Sequence, residues 1–158
     1  MDISFLSYKP VLIGMHLGFA IVGIDAFLWY LGELATKSRS EKRKGLKLAA
    51  IAGIIGFALS WLAGGYYYVV YYGKLVKPVI KAGTAPWAHA VAMEAKEHIF
   101  LFILPLAVTA LILALLDKKE FENHNLRRIS MLLAGVIVFL SLAIGGMGFI
   151  ISAAARWG

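Results

Sequence analysis

The chain has 158 residues, of which 61% are hydrophobic, and it contains no cysteine. A soluble domain of this length is nearer half apolar, so the composition predicts an integral membrane protein. The lack of cysteine excludes disulfide exchange, thiolate metal sites and covalently attached c-type haem. The net charge is +7. We expect the basic residues to set the membrane topology and to contact anionic lipid rather than nucleic acid.

Four apolar runs are long enough to cross a hydrocarbon core of about 30 Å. They cover roughly residues 11–34, 48–72, 99–116 and 129–153 and leave no room for a soluble domain. Residues 1–158 are therefore predicted to form one transmembrane domain, an all-α four-helix bundle. Pro10 is expected at the start of the first helix. Pro86 places the start of the third helix near Trp87, well before its apolar run.

The basic linkers predict the orientation of the bundle. Residues 37–44 form the densest basic run, and the linker between the third and fourth spans carries further lysines and arginines. Basic short loops stay on the cytoplasmic side, so both termini are predicted to face outward from the cytoplasmic (inner) membrane. The N-terminus lacks the positively charged region of a signal peptide, and we expect the first span to be retained.

Two histidines lie in separate spans at nearly the same predicted depth. His16 is 17 residues from Glu33, and His98 is 19 residues from Asp117. At about 1.5 Å per residue, the two imidazoles are level within about 3 Å. An imidazole in hydrocarbon needs partners for both nitrogens, and an axial bond to haem iron satisfies one of them. The sequence therefore predicts one b-type haem in the outer half, with His16 and His98 as its axial ligands.

Two glycine pairs are predicted at this same depth, Gly64 with Gly65 and Gly145 with Gly146. A porphyrin needs small residues where its edge passes between helices. Close helix packing uses glycine in the same way, and that alternative stays open. Tyr68 lies on the stripe of the first glycine pair and is a candidate hydrogen-bond donor to the ligand, whereas its neighbouring tyrosines are typical of an interfacial aromatic belt.

A metal site is an alternative to haem. Glu94 and His98 are four residues apart on one helix face, a spacing that suits a divalent metal, and His16 would complete a mixed nitrogen and oxygen site for a copper-like ion. Few soft ligands are present to favour copper. Glu94 has two further interpretations, orienting His98 or accepting protons from a quinol. His89 and His124 are expected to be solvated. The outer third of the third helix has two faces, one with Trp87, Val91, Glu94, His98 and Leu101, the other with His89, Met93, Lys96 and Phe100.

Asp25 is an acidic residue well inside a predicted span, on the helix face opposite His16. Thr109 lies at a similar depth and is a candidate hydrogen-bond partner. A carboxyl inside a membrane either locks helices together as a neutral acid or carries protons. In the second case the chain would be a small proton-coupled transporter that forms a homodimer through Gly14 and Gly18.

The first span carries a family resemblance. The stretch at 15–23 reads MHLGFAIVG, is followed by Asp25, and resembles the first span of small membrane proteins related to the copper-resistance CopD type. In those proteins, and in four-helix b-type membrane cytochromes, histidines in the outward halves of helices are the expected ligands. The resemblance implies electron transfer, with quinol or a redox partner protein as the electron source, or a role as membrane anchor for that partner. Whether the chain is itself a quinol-linked oxidoreductase stays open.

Overall fold

The computed structural model describes residues 8–36 and 43–157. Within these ranges the chain forms helices and no strands. Four continuous helical stretches are long and apolar enough to cross a membrane, namely Lys9–Ala35, Lys44–Ala82, Ala88–Leu115 and Leu126–Trp157. The prediction of an all-α bundle with four membrane-length helices is confirmed. The elements in chain order are α1 (Lys9–Ala35), α2 (Arg43–Tyr67), a π-helical segment π1 (Tyr68–Val76), α3 (Lys77–Ala82), a second π-helical segment π2 (Ala88–Met93), α4 (Glu94–Leu115), α5 (Lys118–Asn123) and α6 (Leu126–Trp157).

Local sequence accounts for several helix ends. Pro10 lies in the first turn of α1, where its missing N–H removes no helical hydrogen bond. The third long helix begins at Ala88, next to Trp87. The second long helix continues through π1 and α3 to Ala82, beyond the apolar run that ends at Tyr72. A capping box between Asp117 and Glu120 begins α5.

The helices α1 and α2 are antiparallel and pack closely along their whole length. Four glycines of α2 lie so close to residues of α1 that a Cβ atom added to any of these glycines would collide with α1. Small residues at such positions let two membrane helices approach closely. The contacts join Gly45 to Glu33 (2.8 Å), Gly53 to Phe27, Gly56 to the Gly23 backbone (2.7 Å) and Gly64 to His16 (2.5 Å), each distance measured from the added Cβ.

The other two long helices complete a ring. The helices α1 and α4 both contact α2 and α6, so α1 and α4 lie diagonally across the bundle. The buried Tyr30 hydroxyl bridges this diagonal by donating a 3.0 Å hydrogen bond to the carbonyl of Ala110. An apolar core fills the middle of the bundle, with Phe27, Phe57 and Ile103 fully or almost fully buried.

A second, smaller core lies where π1, α3 and π2 meet the end of α6, and we call this region the π-helical end. Its buried members include Tyr72, Ile80 and Ile151. The short helix α5 marks the opposite end, called the α5 end. Most of the basic run at 37–44, on which the orientation depends, lies outside the described residues. The outward orientation of both termini therefore stays a prediction.

Candidate functional site

The His16 side chain is held against α2 by Ser60. Its Nδ1 atom lies 2.9 Å from the Ser60 carbonyl oxygen and 2.9 Å from the Ser60 Oγ. The Ser60 hydroxyl donates its one hydrogen to the carbonyl oxygen of His16, at 2.9 Å. Since that hydrogen is committed, Nδ1 must carry the imidazole proton and donate it to Ser60. The Nε2 atom is then left with a free lone pair.

The ring of His16 lies directly on Gly64. A Cβ atom at Gly64 would be 2.5 Å from Nδ1 and 2.8 Å from Cε1 of the imidazole. In this structure the space that Gly64 leaves is therefore taken by the histidine itself. By contrast, a Cβ at Gly65, Gly145 or Gly146 would meet nothing within 4 Å. The second pair, at Gly145 and Gly146, is exposed on the surface of α6.

Lys96 of α4 lies in the neighbourhood of His16. Its ammonium group interacts electrostatically with the His16 ring, and its Nζ would lie 3.5 Å from a Cβ added to Gly148 of α6. His16 and Lys96 are separated by 80 residues, the same separation as Tyr30 and Ala110 in the diagonal hydrogen bond. The helices α1 and α4 therefore run in the same direction, and Lys96 is level with His16.

His98 has a different environment. It lies two residues beyond Lys96, about 200° further around the helix, and its side chain is exposed. Its Nδ1 atom donates a 2.6 Å hydrogen bond to the carbonyl of Glu94, whose own side chain is also exposed. The structure thus places His98 near the depth of His16 but does not turn the two imidazoles toward each other.

A metal-binding group is likewise not assembled. Among the residues that the structure describes, no three His, Asp or Glu side chains lie close enough to hold a metal ion together. This includes the set of His16, Glu94 and His98 that the sequence suggests. The copper-like alternative therefore has no three-residue site in these ranges.

Glu97, Tyr68, Tyr72 and His89 follow one another from Lys96 toward the π-helical end. The Tyr68 hydroxyl lies close enough to the Glu97 carboxylate for the two groups to interact electrostatically. The rings of Tyr68 and Tyr72 are stacked with their centroids 5.2 Å apart. The hydroxyl of Tyr72 lies 3.0 Å from Nδ1 of His89, and this hydrogen bond is buried. We call the set His16, Ser60, Tyr68, Tyr72, His89, Lys96 and Glu97 the polar cluster.

The expectation that His89 is solvated is wrong, because its side chain is only 4% exposed. The π2 segment turns His89 inward together with Ala88, Ala92 and Met93, where it meets Tyr72. A buried imidazole needs such a partner. His124 is exposed, as expected.

The predicted hydrogen bond between Asp25 and Thr109 is also wrong. Both side chains are exposed on the outer surface of the bundle. The Thr109 hydroxyl donates instead to the carbonyl of Pro105, at 2.9 Å, within its own helix. A threonine in a membrane helix satisfies its hydroxyl in this way without a neighbouring helix.

The sequence interpretation missed two members of the polar cluster, Ser60 and Glu97. It assigned Tyr72 to the aromatic belt and Lys96 to the helix face of His89. For Lys96 and Glu97 the adjacent charges inside a long helical stretch were the available signal, since charges at membrane depth face protein or water. The comparisons of this chain with family models, with curated proteins and with solved structures find no match.

Proposed function

We propose that this chain binds protons at the polar cluster and exchanges them with the aqueous phase at the π-helical end. The observation that carries the proposal is the position of Lys96 and Glu97 on α4: both are partly buried, Nζ of Lys96 lies beside Gly148 of α6, and Oε1 of Glu97 is buried without a hydrogen-bond partner among the described residues. Ionisable side chains inside a membrane bundle are costly and mark ion paths and proton relays. The cluster therefore favours proton transfer over a purely structural bundle.

The contacts of the cluster suit a relay. Glu97, Tyr68, Tyr72 and His89 form a line in which carboxylate, hydroxyls and imidazole each accept or donate a proton. The Oε1 atom of Glu97 is buried and has no hydrogen-bond partner among the described residues. It is a buried acceptor, and it suits the inner end of the line.

The line is open toward one side of the membrane. Lys77 and Lys81 interact electrostatically with His89 at the π-helical end, where solvent and charge are available. Toward the α5 end, the cluster meets the core that contains Phe27, Phe57 and Ile103, where the Tyr30 hydroxyl is bound to the Ala110 carbonyl. This arrangement supports proton binding from one side rather than conduction through the bundle.

Infrared difference spectroscopy of the purified protein between acidic and alkaline buffer tests the proposal. We expect a carboxyl band that is lost in Glu97→Gln and retained in Glu122→Gln, because Glu122 is exposed in α5. Its exchange after transfer to heavy water should slow several-fold in Tyr72→Phe. A spectrum that Glu97→Gln leaves unchanged would contradict the proposal.

A single b-type haem is the second candidate. The observation that favours it is shared by both predicted ligands: His16 and His98 each bind a backbone carbonyl through Nδ1, and neither Nε2 hydrogen-bonds to a described residue. Axial histidines of haem are oriented by such a bond. His16 fits this role inside the bundle. His98 fits in its hydrogen bonding but not in its direction, because it is exposed. The bound haem would supply one-electron transfer, with quinol or a partner protein as donor.

Absorption spectra of the detergent-purified protein, oxidised and dithionite-reduced, test the haem. We expect a Soret band that is lost in His16→Ala. Loss in His98→Ala as well would support the bis-histidine arrangement, and retention there would show that His98 is not a ligand. A protein that stays colourless after haem addition would overturn this candidate and leave the proton site untouched.

A further inference from the structure

The side chain of Asp25 faces outward from the middle of a membrane helix. It is exposed and lies about 5 Å from the midpoint of α1, at 1.5 Å per residue. It forms no hydrogen bond with any residue that the structure describes. Carboxyl groups at such depth almost always face protein or a water-filled cavity rather than lipid. The outer face of α1 around Asp25 is therefore a surface that protein covers.

The residues around Asp25 have the pattern of a helix–helix contact. Exposed residues recur along α1 at alternating intervals of four and three, as on any outward side of a helix, and this side is distinguished by its three glycines and by Asp25. The glycines among them have nothing within 4 Å of an added Cβ, so another backbone has room to approach. This α1 seam consists of Gly14, Gly18, Ile21, Asp25, Leu28 and Gly32.

We propose that the α1 seam binds the α1 seam of a second copy of this chain, about a two-fold axis along the membrane normal. Such an axis places every seam residue opposite its own copy at equal depth. The glycines then meet glycines, and Asp25 meets Asp25. One carboxyl, protonated, donates a hydrogen bond to the other, so that each satisfies its partner.

The positions of the charged residues favour a second copy of the chain as the partner of the α1 seam. In the described part of the chain, the exposed lysines and arginines of the long helices lie near the helix ends, and Lys96 is turned into the bundle. No exposed cation in this part reaches the depth of Asp25 to pair with it. Within this chain, the residue best suited to satisfy Asp25 is thus a second Asp25. The seam lies away from the polar cluster, and the pairing does not depend on the proposed proton site.

Disulfide crosslinking tests the pairing directly, because the natural chain has no cysteine. Ile21→Cys introduces a thiol on the seam, and Val108→Cys introduces one on the exposed face of α4. After oxidation in membranes, we expect Ile21→Cys to give a band of twice the chain mass at a yield at least fivefold above Val108→Cys. Equal yields from the two variants would overturn the proposal. A disulfide between Ile21→Cys and a different protein would overturn the proposal as well.

A second measurement separates Asp25 from the glycines. Förster transfer between labelled copies in detergent reports the dimer dissociation constant. We expect Asp25→Leu and Gly18→Ile to raise this constant at least tenfold, and Asp25→Asn, which keeps a donor and an acceptor, to raise it less. Both positions are exposed, so the monomer should melt as the natural chain does. If the dimer dissociation constant is unchanged in both Asp25→Leu and Gly18→Ile, the proposed pairing of the α1 seams is overturned.

Discussion

His16 and Ser60 bind each other reciprocally across α1 and α2: the imidazole Nδ1 donates to Ser60, and the Ser60 hydroxyl donates to the backbone carbonyl of His16, both at 2.9 Å. The pair joins two helices by polar contacts inside an apolar environment, where an unmade hydrogen bond is costly. It also decides which imidazole nitrogen is available for chemistry. The haem candidate uses the Nε2 atom that this pair leaves free.

Removing the Ser60 hydroxyl should weaken the bundle. Ser60→Ala deletes the bond to the His16 carbonyl, and we expect the free energy of unfolding to fall by about 1 kcal/mol. Denaturation of the detergent-solubilised protein with SDS, followed by circular dichroism, measures this loss. Ser152→Ala, at an exposed position of α6, is the matched control and should be neutral. Equal stabilities of the two variants would contradict the role of the pair.

The two members of the first glycine pair should respond differently to one methyl group. Gly64→Ala places a Cβ 2.5 Å from the His16 ring, whereas Gly65→Ala meets nothing within 4 Å. Overpacking of this kind costs about 1–3 kcal/mol. We therefore expect Gly64→Ala to lower stability by that amount and Gly65→Ala to leave it unchanged, in the same SDS titration. If the pair instead borders a porphyrin, both variants should disturb the haem spectrum.

The buried hydrogen bond between Tyr72 and His89 leads to a third prediction. Tyr72→Phe keeps the ring stacked on Tyr68 but leaves the His89 imidazole without its 3.0 Å partner. A buried polar group left unsatisfied costs about 1–3 kcal/mol. Thermal unfolding should show this loss, while Tyr66→Phe, at an exposed tyrosine, should melt like the natural chain. A stable Tyr72→Phe protein would indicate that His89 finds another partner.

Hydropathy and helical periodicity predicted more of the fold than of the site. The four spans follow from apolar length alone, and periodicity correctly divided the outer third of the third helix into two faces. Trp87, Val91 and Leu101 of one face are exposed, and Met93 of the other face is buried. Neither depth nor periodicity indicates which face turns inward. The sequence interpretation predicted that the helix face with His98 points into the bundle. In the structure, the face with Lys96 points inward instead.

The π-helical segments account for another part of the difference. An α-helical period treats His89 as a residue near a solvated mouth, but π2 turns it onto Tyr72. Such segments depend on tertiary packing and leave no clear pattern in a single sequence. The glycines at 45, 53, 56 and 64 do form a sequence pattern, because they recur along a single helix, and each of them contacts α1. Close helix packing, the alternative left open for Gly64, explains the whole set.

The interlocked glycines of α2 bear on how the protein is made. The contacts from Gly45 to Gly64 involve α1 alone as partner, so the close fit of the first two membrane-length helices requires no residue of the later ones. Translation proceeds from the N-terminus, and the pair can enter the bilayer as a hairpin against which α4 and α6 later dock. The residues between Ala82 and Ala88 are then a natural place to divide the gene, and two separately expressed halves should reassemble in the membrane.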